Sequence, residues 1–316
     1  MKDLLSIADL TGGDIKSLIT EAIDLKNDGW LNILDRKVLA LVFEKPSLRT
    51  RVSFEVAMLQ LGGHSIYLSP SEIGLGKRES TLDVARVLCR YADVIAARTF
   101  AHQTATVLAQ YSDVPVINAL SDAEHPCQAL ADLLTIYEKK GDFKKLTVAY
   151  IGDGNNVANS LLLAAALTGM NFRIATPAGY AIQDKYWEMA LEFAGESGTE
   201  MFNTAEPVQA VKGADILYTD VWTSMGQEAE TEIRRRVFAG YQINETLLAA
   251  ARPDAIIMHP LPAHHGEEVA AGILDGPQSV VFDQAENRMH MQKAILAWML
   301  GGLEFPLAGS PGLRYR

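Results

Sequence analysis

The chain has 316 residues, 48% of them hydrophobic, and its 39 acidic and 28 basic side chains give a formal charge of −11 at pH 7. This length predicts one large domain or two smaller ones, with a core that needs no cross-links. Nucleic acids and anionic membranes attract proteins through positive charge, so an acidic chain without a basic run argues against both as partners. A small anionic substrate remains compatible, because a few arginines can form a phosphate site.

Cysteine content and the N-terminal sequence predict where the protein works. The two cysteines, Cys89 and Cys127, are too few for a disulfide framework or a Cys-based zinc site, and predict reduced thiols. The N-terminus lacks the apolar core of a secretory signal. Since no apolar run reaches the roughly 18 residues of a membrane span, we expect a cytoplasmic protein.

From Val38 onward, short β-branched runs alternate with amphipathic stretches, a pattern typical of parallel sheets covered by helices. The predicted strands of a first series are residues 38–43, 64–68, 94–98 and 114–120, and its predicted helices are 51–61, 81–91, 102–110 and 128–139. A polar, charged run at 139–145 predicts a domain boundary. The predicted strands of a second series are 146–151, 172–176, 216–219, 255–258 and 280–282, followed by a helix at 285–300. We expect the tail at 309–316 to be mobile or to form an arm at a subunit contact.

Polar clusters that follow apolar strands are the places to seek a ligand site, because open α/β sheets bind ligands beyond the carboxyl ends of their strands. The first cluster, residues 44–51, opens a helix and holds the hydroxyls of Ser47 and Thr50 with three cations, Lys45, Arg49 and Arg51. Helix-start N–H groups and arginine forks suit an oxyanion. The alternative is a helix cap followed by solvated arginines. We favour the anion site.

A second cluster, His125-Pro126-Cys127-Gln128, also lies between a predicted strand and a helix. His125 and Gln128 are three residues apart, on one helix face, where they could grip a carbonyl or an amide. A lone histidine is more often structural. Arg98 ends an apolar strand and could join this cluster, since a guanidinium in such a place needs an anionic partner.

A third cluster, residues 152–157, imitates a dinucleotide fingerprint but has Val157 where glycine or alanine is expected. No acidic residue follows the next strand, where residues 176–179 read Thr-Pro-Ala-Gly. The pattern therefore disfavours a dinucleotide and makes Asn155 and Asn156 candidate amide contacts for another ligand.

The fourth cluster comprises residues 220–226 and 259–262. An aspartate at such a sheet edge, here Asp220, can pair with a substrate ammonium group. His264 and His265 lack a helix-spaced carboxylate and histidine set with a third ligand, which favours surface histidines over a zinc site.

In this order, and with Ala285-Glu286-Asn287-Arg288, the motifs resemble those of the ornithine carbamoyltransferases, in the aspartate/ornithine transcarbamylase family. Ser-x-Arg-Thr-Arg and His-Pro-x-Gln mark transcarbamylases in general, whereas Asp-x-x-x-Ser-Met-Gly indicates ornithine as the acceptor. The resemblance spans roughly Leu5 to Leu303. It implies two doubly wound α/β domains and a C-terminal helix that returns to the first: 1–140 joined by 286–316 would bind carbamoyl phosphate, and 141–285 would bind ornithine.

The implied reaction transfers the carbamoyl group of carbamoyl phosphate to the δ-amine of L-ornithine, giving L-citrulline and phosphate, in arginine metabolism. The implied carbamoyl phosphate contacts are Ser47, Leu48, Arg49, Thr50, Arg98, His125, Gln128, Pro260, Leu261 and Arg288. The implied ornithine contacts are Asn156, Asp220, Ser224 and Met225, and the implied catalytic residues are Arg98, His125, Gln128 and Asp220.

Attack by an amine builds negative charge on the carbonyl oxygen, which fixed donors can stabilise. The leaving phosphate can take up a proton, so we expect neither a metal nor another cofactor. The resemblance further implies a homotrimer, or a larger assembly of trimers, with active sites between subunits.

Two features depart from the family pattern. Pro260 stands where the family usually has cysteine, and it keeps a backbone carbonyl but offers neither a thiol nor an N–H. The His-Pro-Leu-Pro spelling also resembles the aspartate enzymes, so the alternatives are another acceptor (an acylated ornithine, putrescine or aspartate) or an inactive binding or assembly relative. The second departure lies in the loop 71–77, which reaches a neighbouring site in this family. A family glutamine falls on Gly74, so we expect Lys77 or Arg78 to substitute.

Overall fold

A computed structural model describes residues 3–76, 78–224 and 226–301. The chain forms two units, one running up to Leu134 and resuming at Glu286, the other comprising Thr135–Ala285. The chain first passes from one unit to the other after Leu134, within a helix and six residues before the boundary predicted at residue 140. That the units are ligand-binding domains with limits at 140 and 285 stays a prediction.

The first unit has a four-stranded parallel sheet in the order β2-β1-β3-β4. Its strands are β1 Val38–Phe43, β2 His64–Leu68, β3 Val94–Arg98 and β4 Val116–Leu120. Its helices are α1 Gly12–Asp28, α2 Leu48–Gln60, α3 Pro70–Ile73, α4 Thr81–Leu88, α5 His102–Tyr111 and the start of α6 Pro126–Lys140, with a 3₁₀ turn at Ile7–Asp9. Alternate strand residues such as Ala40 and Val42 pack into one core cluster with α4 and α5.

The second unit has a five-stranded parallel sheet in the order β7-β6-β5-β8-β9. Its strands are β5 Thr147–Ile151, β6 Asn171–Ala175, β7 Met201–Thr204, β8 Ile216–Tyr218 and β9 Ile256–Met258. Its helices are α7 Asn156–Thr168, α8 Asp184–Ser197, α9 Pro207–Val211, α10 Thr231–Val237, α11 Glu245–Ala250 and the start of α12 Val281–Met299, with 3₁₀ turns at Glu228–Glu230 and Ile273–Asp275. Among the residues that the structure describes, no helix is both long and apolar enough to cross a membrane.

The predicted fold class, two doubly wound parallel sheets with a returning C-terminal helix, is confirmed. From Glu286 onward α12 belongs to the first unit. There the Lys293 ammonium donates to the carbonyl of Gly29 at 2.9 Å and to that of Leu25, at the end of α1. A lysine suits this place because the last carbonyls of a helix have no partners within it.

The strand predicted at 280–282 is wrong, because α12 already begins at Val281. Next to this segment, Ser279 forms one isolated bridge to Ile257 of β9, and the chain continues from it into α12 rather than into a strand. A short run of Val, Val and Phe has strand propensity, but it cannot be told from a helix start by periodicity alone. The pattern also missed α1 and β7. The edge strand β7 is partly accessible and holds Asn203 and Thr204, so it lacks an apolar alternation.

Each sheet has one place where the order of the strands reverses, between β1 and β3 in the first unit and between β5 and β8 in the second. Phe43 pairs with Arg98 across the first of these places, and Tyr150 with Tyr218 across the second. Doubly wound sheets bind ligands in the crevice at this switch point, beyond the carboxyl ends of the strands. Both switch points carry clusters that the sequence singled out.

Candidate active site

The loop after β1 leads into the N-terminus of α2. Ser47 is the N-cap, and its hydroxyl accepts from the N–H of Thr50 at 3.3 Å. The Leu48 side chain is 75% exposed, so its backbone is the part that the fold places at the helix start. Free N–H groups and the helix dipole at this end favour an anion.

Arginines from distant parts of the chain meet this helix start. Arg288 on α12 is buried and donates to the Thr50 hydroxyl at 2.6 Å, across 238 residues of sequence. Arg98 at the end of β3 is buried as well. Burial, and then the positive charges of Arg288 and Arg49, lower the pKa of Arg98 to about 10, and burial also lowers the pKa of Arg49. Clustered, desolvated cations of this kind are stabilised by a bound anion.

His125 and Gln128 lie together at the start of α6, where the Gln128 N–H donates to the His125 carbonyl at 3.0 Å. Burial and the charges of Arg288 and Arg98 hold the pKa of His125 well below its usual value, so the imidazole is neutral at neutral pH. The Gln128 amide donates to Asp132 at 2.8 Å, while its buried Oε1 accepts no hydrogen bond from any described residue. Gln128 therefore offers an acceptor to a ligand N–H.

Two cations of the first loop are engaged elsewhere. The Arg51 guanidinium donates to Glu55 at 3.0 Å and stacks 3.8 Å from the centre of the Tyr67 ring. The Lys45 ammonium lies 4.7 Å over the Phe100 ring. The arginine cluster is thus Arg49, Arg98 and Arg288, not the whole basic run that the sequence presents.

In the second unit, Asn155 connects the turn after β5 to Asp220 after β8. The Asn155 Oδ1 caps α7 by accepting from the N–H groups of Val157 and Ala158, and its amide nitrogen donates to Asp220 at 2.8 Å. Asn156, the predicted ligand contact, is the next residue, at the first position of α7. Burial raises the pKa of Asp220, although His259 and the Asn155 hydrogen bond oppose the rise. This carboxylate therefore lacks sufficient positive charge around it, which suits an ammonium ligand.

The His-Pro-Leu-Pro segment after β9 is held by buried hydrogen bonds of the His259 ring. The His259 Nε2 lies 3.1 Å from Glu268, and the His259 Nδ1 accepts from the Leu261 N–H at 2.9 Å, so Nε2 carries the ring proton. Leu261 has φ of 58°, a left-handed conformation that strains a residue with a side chain. The predicted contacts Pro260 and Leu261 thus lie in the second unit, on a segment that the His259–Glu268 pair positions.

Sequence reasoning missed Arg234 on α10, in the second unit. Its side chain is buried. It donates to the Asp153 carboxylate at 2.8 Å and to the Trp222 carbonyl at 2.9 Å. Arg234 thereby ties the turn after β5 to the loop that carries Ser224. Burial raises the pKa of Asp153 to about 6 against the pull of this guanidinium. The only sequence signal was a run of three arginines, at 234–236, which resembles a solvated helix face.

The loop after β8 holds the remaining predicted contacts. The half-buried Ser224 donates its N–H to Gln227 at 3.0 Å, while Met225 lies outside the described residues. The buried Trp222 Nε1 and Thr223 Oγ1 have no hydrogen-bond partner in the described part of the chain, which makes Thr223 a further candidate contact. Lys77 and the 309–316 tail also fall outside the described residues, and Arg78 donates to the Glu72 carbonyl at 3.3 Å.

The glycine-rich turn at residues 152–157 has a structural explanation. A side chain at Gly154 would approach the Ile182 nitrogen to 2.4 Å, because the Gly154 N–H donates to the Tyr180 carbonyl at 2.8 Å. Protein backbone thus fills the space that a dinucleotide pyrophosphate would need beside this glycine.

Comparison with known proteins decides the family. The model of the carbamoyl-P binding domain of aspartate/ornithine carbamoyltransferases matches residues 2–138, and that of the Asp/Orn binding domain matches 144–299. The chain belongs to the aspartate/ornithine carbamoyltransferase family. The resemblance drawn from its motifs is therefore confirmed.

Similar members of this family include the anabolic ornithine carbamoyltransferase of Pyrococcus furiosus, 51% identical over 310 residues that cover 96% of this chain and 98% of that protein. The ornithine carbamoyltransferase of Bacillus subtilis is 52% identical over 299 residues, 95% of this chain and 94% of that one. Among solved structures, the P. furiosus enzyme has a TM-score of 0.92 at 50% identity, covering 96% and 98% of the two chains. The anabolic enzyme of Campylobacter jejuni has 0.91 at 39%, covering 95% and 99%.

Proposed function

We propose that this chain transfers the carbamoyl group of carbamoyl phosphate to the δ-amine of L-ornithine, giving L-citrulline and phosphate. The observation that carries the proposal is the pair of oppositely charged clusters at the two switch points, in a chain about half identical to ornithine carbamoyltransferases. A cluster of desolvated arginines suits the phosphate dianion. Buried carboxylates short of positive charge suit the ammonium group of an amino acid.

We assign carbamoyl phosphate to the first cluster. The phosphate of carbamoyl phosphate binds at the start of α2, where it contacts Ser47, Leu48, Arg49 and Thr50. Arg288 adds a further contact to the phosphate, and the hydrogen bond from Arg288 to Thr50 positions its guanidinium. Arg98, the neutral His125 and Thr50 donate to the carbonyl oxygen, where negative charge develops during attack. The Gln128 Oε1 accepts from the carbamoyl amide. Backbone carbonyls at Pro260 and Leu261 accept from the same amide.

We assign ornithine to the second cluster. Asn156 and the Ser224-Met225 turn take the α-carboxylate, and Asp220 takes the α-ammonium group. The unprotonated δ-amine attacks the carbonyl carbon, forming the new C–N bond as the carbonyl electrons move to oxygen. Collapse of this intermediate breaks the bond to phosphate oxygen, and the leaving phosphate takes up the amine proton. Much of the rate comes from holding two substrates in register.

Three further assignments complete the proposal: a role in arginine biosynthesis, a cytoplasmic location, and a homotrimer or a larger assembly of trimers. The relatives from P. furiosus and C. jejuni are both named anabolic, which supports the first. Light scattering during size-exclusion chromatography tests the third, and a mass below three chains would overturn it.

The decisive assay supplies carbamoyl phosphate with ornithine, acetylornithine, putrescine or aspartate in turn, and measures citrulline and phosphate together. We expect equal amounts of both products with ornithine. Putrescine is disfavoured because it has no carboxylate for Asn156 and Ser224 to hold. Phosphate release with aspartate alone would overturn the acceptor, and no release with any amine would favour an inactive binding relative.

A further inference from the structure

A second group of ligating side chains lies on the turn that follows the His-Pro-Leu-Pro segment. One ligand atom each from His264, Glu267 and Glu268 lies within 4.8 Å of the other two. The sequence favoured surface histidines at 264 and 265 because no carboxylate set was apparent. The turn supplies that set, since Glu267 and Glu268 follow His264 by three and four residues.

Backbone hydrogen bonds hold this turn closed. The Glu267 N–H donates to the His264 carbonyl at 2.9 Å, and the Gly266 N–H donates to the Val269 carbonyl at 2.8 Å. The His264 N–H donates to the Glu268 Oε1 at 2.6 Å. Gly266 has φ of 92°, a conformation that favours glycine. The backbone that carries the three side chains is therefore ordered before any ligand binds, which lowers the cost of bringing them together.

An independent observation points to a cation at this turn. The Glu268 side chain is completely buried, and its Oε2 has no hydrogen-bond partner among the described residues. This oxygen lies 3.9 Å from the His264 Nδ1. Two ligands of a tetrahedral zinc ion lie roughly 3.4 Å apart, given bonds of about 2.1 Å. The half-exposed His264 ring can close that difference, and an ion would satisfy the buried oxygen.

We propose that His264 Nδ1, Glu268 Oε2 and a carboxylate oxygen of Glu267 bind one divalent transition-metal ion, with a position left open to water. One imidazole with two carboxylates suits Zn²⁺ better than Mg²⁺ or Ca²⁺, which prefer oxygen ligands alone. Arg235 donates to the Glu267 Oε1 at 2.7 Å and orients that carboxylate. Because Glu268 also contacts His259, the ion stabilises the turn beside the Pro260 segment.

The test is calorimetric titration of untagged, chelator-treated protein with Zn²⁺, which does not depend on carbamoyl transfer. We expect one ion per chain, and at least a tenfold loss of affinity in His264→Ala and in Glu267→Gln, because removal of even an outer partner of a metal ligand typically costs about 10- to 100-fold. His265→Ala is the matched control, an exposed neighbouring histidine outside the cluster, and should bind as the parent does.

Titration with Co²⁺ adds a second readout, because the visible absorption of bound Co²⁺ reports the geometry of its ligands. We expect this spectrum to change in His264→Ala and to stay as in the parent in His265→Ala. Thermal unfolding without metal checks that all three variants keep the fold. Absence of binding, equal affinity in the parent and His264→Ala, or the same loss in His265→Ala would each overturn the proposal.

Discussion

The two switch points have equivalent topology and opposite charge. In the first unit, burial and mutual repulsion lower the pKa values of Arg98 and His125. In the second unit, burial raises the pKa values of Asp153 and Asp220, the negative charge of Asp220 raises the pKa of Asp153 further, and that of Glu268 raises the pKa of Asp220 further. Each cluster is thus short of the charge that its proposed substrate carries. The comparison shows that one sheet topology serves opposite ligands, because function lies in the side chains at the strand ends.

The largest effect should come from the first cluster. In Arg98→Ala, turnover should fall by roughly 10²–10³-fold at saturating ornithine, the loss that follows removal of one donor to a developing oxyanion. Steady-state kinetics with both substrates varied measures it. The matched control is Arg51→Ala, since Arg51 pairs with Glu55 and stacks on Tyr67. Near-normal turnover in Arg98→Ala, or an equal loss in both variants, would contradict the assignment.

Asp220→Asn tests the second cluster. Removing the negative charge should lower kcat/KM for ornithine by roughly 10²-fold, because the ammonium group then lacks its buried partner. Carbamoyl phosphate affinity, measured by equilibrium binding, should stay unchanged and serves as the internal control. A loss of carbamoyl phosphate binding with ornithine affinity intact would reverse the proposed assignment of substrates to units.

Arg234→Lys asks whether the second cluster needs positioning by the guanidinium fork. A lysine keeps the charge but cannot hold both Asp153 and the Trp222 carbonyl, so KM for ornithine should rise about tenfold while KM for carbamoyl phosphate stays constant. The adjacent, exposed Arg235 gives the control variant Arg235→Lys. A fall in kcat with both KM values unchanged would instead indicate a general structural role.

One carboxylate of the first unit resembles those of the second. Glu21 on α1 is completely buried, and burial, with Asp24 and Asp28, raises its pKa from 4.5 to about 7. The native protein therefore keeps a proton that the unfolded chain loses near pH 4.5, and this contribution to stability disappears as the pH rises to 7.

In Glu21→Gln that loss cannot occur. Relative to the parent, the free energy of unfolding should rise between pH 5 and pH 8 by at most about 3 kcal/mol, which 1.36 kcal/mol per pKa unit allows. Urea unfolding at both pH values measures it. The exposed Glu79 in the same unit provides the control substitution, Glu79→Gln. A constant difference between parent and Glu21→Gln would contradict the raised pKa.

The smallest effect should come from Pro260→Cys. If the site uses the backbone carbonyl of this residue, kcat/KM for ornithine should change by less than about tenfold, or 1.4 kcal/mol. A larger gain would show that proline limits the enzyme and that the thiol matters. Val221→Ala, on the same side of the sheet edge but with no assigned ligand contact, checks for indirect effects on β8.

Local sequence determined much of both units. Apolar runs that alternate with amphipathic stretches indicated eight of the nine strands that the structure describes. The polar residues that end or follow these runs included Ser47, Arg98 and Asp220. Parallel strands can be predicted from local sequence because both of their faces are buried, which makes each strand a continuous apolar run. The same signal misplaced a strand at 280–282 and missed β7, since a helix start can be apolar and an edge strand can be polar.

Tertiary structure alone decided which side chains meet. The order of the strands brings Phe43 beside Arg98, and the return of α12 brings Arg288 to Thr50. No local pattern marks Arg234 or Glu268 as buried partners of Asp153 and His259, because burial depends on what packs over a residue. The sequence by itself determined the types of chemistry available, through short-range periodicity and composition. Long-range packing decided their charge balance, since desolvation and repulsion arise only when distant groups are brought together.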